Sequence, residues 1–325
     1  MVCKFIGFCL IGVAVAMGGA AHAQQFPTKP VTMVVPFTAG GPTDTVARLI
    51  AQAMTKDLKQ QVIVENVGGA GGTVGAGRVA RAAADGYTLL LHHIGHSTAP
   101  TLYRKLPYNS ITDFAPIGLV ADVPMTLVAR KDFPANNLKE VIAYVTSNKD
   151  KVTYANAGIG AASHLCGMLF MSAIKVQLTT VPYQGTGPAM NDLLGGHADL
   201  MCDQTTNTTS QIKAGKIKAY GVTTKKRVPS LPDVPTMQEA GLPNFEVAVW
   251  HGLYAPKGTP KLVIDRLVKA LQVALQDPMV KTRLTDLGSE PMPQDRATPD
   301  ALRTHLKAEI DKWAPVIKAA SVYAD

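Results

Sequence analysis

Residues Val34–Ile50 read VVPFTAGGPTDTVARLI. A β-branched run stops at Pro36, adjacent glycines follow at Gly40 and Gly41, and a helical pattern starts near Thr43. Strand, glycine turn and helix start bring backbone N–H groups and the positive end of a helix dipole to one point, an arrangement that binds anions. The stretch contains neither G-x-x-x-x-G-K-[ST] nor G-x-G-x-x-G, so it is not a nucleotide loop. With no fixed cation in the loop, an anion would be held by amides alone. That suits a carboxylate better than a polyphosphate, which usually also recruits Lys, Arg or Mg²⁺. The simpler reading of one such loop is a βα turn in which glycine only permits tight geometry.

The motif recurs. KVTYANAGIGAASHLCGMLFMSAI, from Lys151, again reads strand, glycine-bearing loop, helix. Two such units from two halves of a chain can aim their helix N-termini into one cleft. Around them, short β-rich runs alternate with helical patterns, which predicts α/β domains with mostly parallel sheets flanked by helices. Expected strands are Val31–Val35, Gln61–Glu65, Tyr87–Leu91, Met125–Ala129, Leu178–Val181, Lys218–Thr223 and a run ending at Pro256. The first helix places Val46, Leu49, Ile50, Ala53, Met54 and Leu58 on one face. Other helices are expected from about Thr73, over Leu138–Ser147, and in three C-terminal segments broken by Pro278 and by Pro291–Pro299. The stretch Pro229–Pro243 reads as irregular.

The N-terminus carries one lysine, an apolar run from Phe5 to Met17, and then Ala21-His22-Ala23, the A-x-A form of a secretory cleavage site. The apolar run is short of the ~20 residues needed to span a bilayer. Residues 1–23 are therefore expected to be a cleaved signal peptide, with an exported mature chain long enough for two domains of roughly 150 residues. Two of the four cysteines leave with the leader. Cys166 and Cys202 remain, and burial as small hydrophobes is the expectation, with a disulfide as the alternative. The net charge of +8 is scattered and aromatics are only 6%, which does not describe a nucleic-acid surface.

The ordered motifs P-F-T-A-G-G-P-T-D-x-x-A-R, G-G-A-G-G-T-V-G, D-G-Y-T-L-L-L and D-F-A-P-I, then Y-A-N-A-G-I-G-A-A-S-H-L, V-P-Y-Q-G-T-G-P-A-M-N-D-L-L-G-G-H-A-D and Y-A-P-K-G-T-P, resemble a known family along essentially the whole mature chain. This is the substrate-binding protein of tripartite tricarboxylate transporters, also called the Bug family. The resemblance implies a periplasmic binding protein of the type II, Venus-flytrap kind, a monomer that closes over a small organic acid and serves the transporter's membrane subunits. It implies no cofactor and no metal. Carried onto this sequence, the ligand carboxylate would lie between Phe37, Thr38, Ala39, Gly40, Gly41 and Thr43 of the first loop and Gly158, Ile159, Gly160, Ala161, Ala162 and Ser163 of the second. Strand-end segments with His96, Ser97, Tyr183, Gln184, Gly185 and Asp203 would read the rest of the ligand, and His92, His93, Gly95, Gln204 and Trp250 are further candidates. Crossings between domains are placed near Met125 and Trp250, giving domains of residues 24–124 plus 251–325 and of 125–250.

Competing readings are definite. Asp44 is expected to cap a helix start, and His164 to pack beside the second loop. His92, His93 and His96 invite a metal, but neighbours on a strand point to opposite faces, so at most two converge. Gly95-His96-Ser97-Thr98-Ala99 is one residue from G-x-S-x-G and follows a strand, the basis for a secreted serine hydrolase acting through Ser97. The nearer alternative is a periplasmic sensor subunit that presents its ligand to a receptor.

Overall fold

Two crossing strands organise the molecule. In the computed structural model, which describes residues 26–320, 323 and 324, β4 (Phe114–Arg130) and β9 (Ala248–Pro256) lie antiparallel at the centre. β4 pairs with β9 from Phe114 to Pro124 and then changes partners. From Met125 to Arg130 it pairs with β7 (Leu200–Gln204) and β8 (Ile217–Val222). One strand therefore belongs to both halves of a two-domain α/β protein. The leader expected at residues 1–23 lies outside the described residues.

On one side of this centre, β1 (Val31–Val35) runs parallel to β2 (Val62–Asn66) and β3 (Thr88–His93), and β3 meets β9. On the other, β5 (Thr153–Asn156) runs parallel to β6 (Thr179–Pro182) and β7. The spatial order is β2-β1-β3-β9-β4-β7-β5-β6, with β8 and the short β10 (Glu290–Pro291) also on β4. The parallel pairing expected from the sequence thus holds in the outer part of each lobe. The strands that cross between lobes are antiparallel, because a chain that leaves a lobe and returns to it does so in opposite directions.

Helices cover the sheet as their apolar stripes require. α1 (Pro42–Leu58) buries Val46, Ile50, Ala53, Met54 and Leu58, starts with proline in its first turn, and stops at Lys59 in the left-handed region, φ 58°. α2 (Thr73–Ala80), α3 (Gly95–Leu102), α8 (Lys261–Gln276), α9 (Pro278–Asp286) and α10 (Pro299–Ala320) complete the first lobe. α4 (Leu138–Ser147), α5 (Ala162–Ile174), α6 (Thr186–Leu194) and α7 (Thr205–Lys213) belong to the second. No described helix is long and apolar enough to cross a membrane.

The cysteines are buried as expected, and they also take the alternative, the disulfide. Cys166 on α5 and Cys202 on β7 form a disulfide, Cα–Cα 6.0 Å, as well as being buried. Closing a loop with a sequence separation of 36 stabilises by about 4 kcal/mol on the chain-entropy account. Tyr154 makes the same connection by hydrogen bonding: its hydroxyl donates to the Ser163 carbonyl at 2.9 Å and accepts from Cys202 N–H at 3.0 Å. Together they pin the start of α5 against the end of β7.

Candidate functional site

The loops after β1, β3, β5, β6 and β7 leave the carboxyl ends of their strands, where open α/β sheets place ligands. They converge on a cleft between the lobes. Phe37, Gly41, Pro42, Thr43, Asp44 and His93 line one wall, and Ala157, Ala161, Ala162, Ser163, Thr186, Asp203 and Gln204 the other. Among the described residues, neither wall contains a lysine or arginine. The enclosed space offers about 10 Å³ to the centre of a water molecule, the room of a single water.

Four helices begin at this cleft. The caps or first residues of α1, α5, α6 and α7 are Gly41, Ala162, Thr186 and Gln204, and each lines it. A helix leaves its first N–H groups without intrahelical acceptors. In α1 the ladder begins only with Thr45 N–H to the Gly41 carbonyl, and in α5 with Leu165 N–H to the Ala161 carbonyl. The donors left over are those of Gly41, Thr43 and Asp44 on one side and Ala162, Ser163 and His164 on the other, Pro42 having none.

Several expected donors are occupied. Gly40 N–H donates to Asp44 Oδ2 at 3.0 Å and Thr38 N–H to the Gln184 carbonyl at 3.1 Å. Gly158 N–H donates to Asn156 Oδ1, Gly160 N–H to His164 Nδ1 and Ala161 N–H to the Gly158 carbonyl. These bonds shape the loops, so the available amides lie one to three residues further along, in the first helical turn. The reason is general. A glycine-rich turn spends its own N–H groups on holding the turn.

The structure brings together Phe37, Gly41, Thr43, Ala161, Ala162, Ser163 and Asp203 around the cleft. Thr38, Gly158, Ile159, Tyr183 and Gln184 line a separate groove instead, with Tyr103 and Ala70. Ala39 and Gly185 sit at the contact between lobes, where a Cβ on Gly187 would lie 2.7 Å from the Ala39 carbonyl oxygen and one on Gly185 would collide with Thr38 Oγ1. His96 and Ser97 do not line this cleft. His96 is fully buried, stacked on Tyr108 at 5.8 Å and packed against Phe114 and Tyr254. Ser97 lies inside α3 with its Oγ donating to the Ile94 carbonyl at 2.7 Å, unlike the exposed Oγ of a nucleophile elbow. Trp250 is also turned inward, its indole N–H donating to Glu309 Oε2. Sequence reasoning does not reach Pro42, Ala157 and Thr186. Each stands beside a position that was identified, Thr186 directly after Gly185.

The histidines underpin the first loop. His93 stacks on Phe37 at 4.7 Å, His92 meets the same ring edge-on, and His251 Nε2 lies 3.3 Å from Thr43 Oγ1. The Nδ1 atoms of His92 and His93 accept from the N–H groups of His93 and Gly95. Burial first, and then repulsion among the rings, holds both well below the ordinary histidine range. No grouping of His, Cys, Asp or Glu able to hold a metal occurs among the described residues.

The two acidic groups of the cleft differ. Burial pushes Asp44 up, but hydrogen bonds from Arg48, Gly40 N–H and Asn66 outweigh it, and its carboxyl lies below the ordinary range. Asp44 is a loop brace, fully satisfied. Asp203 is pushed up to about 6 by burial, against the lowering influence of Asn207, the Gln204 N–H and Thr186. Its Oδ2 accepts from Asn207 at 2.6 Å, while its Oδ1 has no hydrogen-bond partner.

A two-lobed α/β fold with helix starts gathered on an interlobe cleft defines a solute-binding receptor. The chain belongs to the tripartite tricarboxylate transporter receptor family, whose pattern matches residues 46–322, and is a periplasmic solute-binding protein of that family. It is 52% identical over 318 residues to a UPF0065 protein in the TAR-I ttuE-ttuC' intergenic region of Agrobacterium vitis, covering 98% of this chain and 91% of that one. The structure of the periplasmic binding protein BugD is 58% identical, with TM-score 0.91, covering 92% of this chain and all of BugD. MatC (Rpa3494) from Rhodopseudomonas palustris, solved with bound malate, is 46% identical with TM-score 0.86, covering 90% of this chain and all of MatC.

Proposed function

We propose that this protein captures a small organic carboxylate between its lobes and delivers it, as a monomer, to the membrane subunits of a tripartite tricarboxylate transporter. The observation that carries the reading is the convergence of four helix starts on a buried cleft without a lysine or arginine. A carboxylate there would draw on the N–H groups of Gly41, Thr43, Ala162 and Ser163, and on the dipoles behind them. The malate bound by the related MatC supports this ligand class. Water is largely excluded once the lobes meet, which strengthens each of these interactions.

The reading implies binding without chemistry, and Ser97 supports it, since its hydroxyl is committed to the backbone. Purified mature protein should be stabilised by at least one organic acid and return it unaltered. A ligand at 100 times its dissociation constant adds ~2.7 kcal/mol, so a thermal-shift screen of mono-, di- and tricarboxylates detects it. If no carboxylate shifts the melting temperature, or if Ser97 supports ester hydrolysis, the assignment fails.

A further inference from the structure

Asp203 is an unexpected residue for a carboxylate cleft. It stands in the penultimate position of β7, is 1% exposed, lines the cavity, and is not among the groups paired with a lysine or arginine. Asn207 satisfies one of its oxygens, and Oδ1 is buried with no partner. A buried carboxylate oxygen left unpaired is costly, and it becomes favourable when something donates to it. The Gln204 N–H and the Thr186 hydroxyl lie close enough to favour the ionised carboxyl, but neither makes a hydrogen bond to Oδ1. Asn207 serves Oδ2, and the Thr126 hydroxyl serves the Asp203 carbonyl at 3.3 Å. Tyr154 and the Cys166–Cys202 disulfide fix the start of α5 against β7, so Asp203 keeps its place relative to the free amides of Ala162 and Ser163.

We propose that Asp203 selects the ligand by accepting a hydrogen bond from a donor carried near its gripped carboxylate, making the preferred class 2-hydroxy or 2-amino acids. This rests on the carboxylate reading of the cleft and sharpens it. The same oxygen repels a second carboxylate placed against it, so it discriminates by penalty as well as by attraction. Sites built to hydrogen-bond a substrate hydroxyl or amine reject the analogue that lacks it, because their own buried group is then left unpaired. Near neutral pH Asp203 is largely ionised, burial having raised it only to about 6. It is therefore an acceptor for both an ammonium and a hydroxyl.

The test is calorimetric titration of the purified mature protein at pH 7.5 with matched pairs: L-malate and L-aspartate against succinate, 2-hydroxyglutarate and L-glutamate against glutarate, lactate against propionate, with benzoate added as an acid without such a donor. The donor-bearing member of at least one pair should bind 10-fold or more tightly than its partner. In Asp203→Ala that ratio should collapse to within about threefold, chiefly because the donor-bearing acid loses ~10- to 150-fold, the range for a hydrogen bond to a charged group. Asp203→Asn keeps an acceptor oxygen without the charge. It should retain most of a hydroxyl preference and lose an ammonium preference, which decides the matter even if the alanine variant does not fold. Equal binding within every pair, binding confined to acids with no donor, or an unchanged ratio in the folded variants overturns the role of Asp203 and leaves the carboxylate cleft standing. Binding of none of these or any other carboxylate overturns the cleft reading itself.

Discussion

At the scale of single residues, the chemistry of the cleft turns on which N–H groups remain free. The sequence shows where the glycine loops are, but not how a loop spends its donors, since those bonds depend on turn geometry and on side chains such as Asp44, Asn156 and His164. Because Gly160 and Ala161 have intraprotein acceptors, we propose the amides of Ala162 and Ser163 as the critical ones. Ala162 is the first residue of α5, where proline is well tolerated, and Ala161 before it already has the extended conformation that proline requires, φ −67° and ψ 157°. Ala162→Pro therefore deletes one donor at small structural cost, reproducing the arrangement α1 has at Pro42. Affinity for a carboxylate ligand should fall ~10- to 150-fold with little change in melting temperature. Replacing the ligand carboxylate by a primary amide should hurt binding to wild type more than to Ala162→Pro. An equal amide penalty in the two proteins would sink the assignment of this donor. His96 carries the opposite lesson. Its place after a strand drew attention, but a fully buried histidine among Tyr108, Phe114 and Tyr254 is a packing residue.

Among the elements, those with a clear period were legible. Val31–Val35 and Leu138–Ser147 have the expected limits, and α1 follows its apolar stripe. The long β4 was recognised only in its last third, because Pro116, Gly118 and Pro124 break the usual strand signal. Two register shifts against β9 accommodate that irregular part. α3 was hidden for a similar reason: it is short and contains Pro100. α6 offers a test that separates helix stability from lobe closure. Gly187 sits in its first turn, so alanine there should leave the fold as stable or raise stability by up to about 1 kcal/mol. Yet the added Cβ would lie 2.7 Å from the Ala39 carbonyl of the other lobe and 3.2 Å from Gly41 N. Overpacking of this kind costs about 1–3 kcal/mol, here only when the lobes meet, so ligand affinity should drop ~5- to 150-fold. Small-angle scattering should show wild type contracting on saturation with ligand, and Gly187→Ala contracting less. Unchanged affinity together with full contraction would show that this contact does not limit closure.

Across the whole molecule, two features were only partly legible: how the lobes touch and what the interior does with its histidines. The Tyr103 hydroxyl donates to the Ile159 carbonyl at 2.8 Å and the Thr98 hydroxyl to the Gly160 carbonyl at 3.2 Å. Such contacts join residues far apart in sequence, and no local pattern announces them. We propose that the hinge lies where β4 changes partners at Met125 and where the chain enters β9 before Trp250. The buried histidines make stability depend on pH. Burial lowers His96 and His251 to about 3 and His164 to about 4, and holds His92 and His93 well below their ordinary value of 6.5. The unfolded chain takes up those protons near 6.5 while the folded protein does not. The stability these groups contribute is therefore complete above 6.5 and is lost as pH falls toward the folded values. Asp203, raised from 3.8 to about 6, works the other way, gaining its proton first in the folded state. Asp122, also raised by burial, acts with it, but six histidines, counting His305, oppose these two carboxyls at up to about 1.4 kcal/mol per pH unit each, so the histidines decide the sign. The melting temperature should be flat or nearly so from pH 8 to 7 and fall steeply between about 6.5 and 4.5. His96→Phe, which suits the aromatic surroundings, should make that fall shallower by removing one group. A melting temperature that holds or rises across the same interval would mean that these rings accept protons in the folded state, and that the packing described for His92, His93, His96 and His251 is wrong.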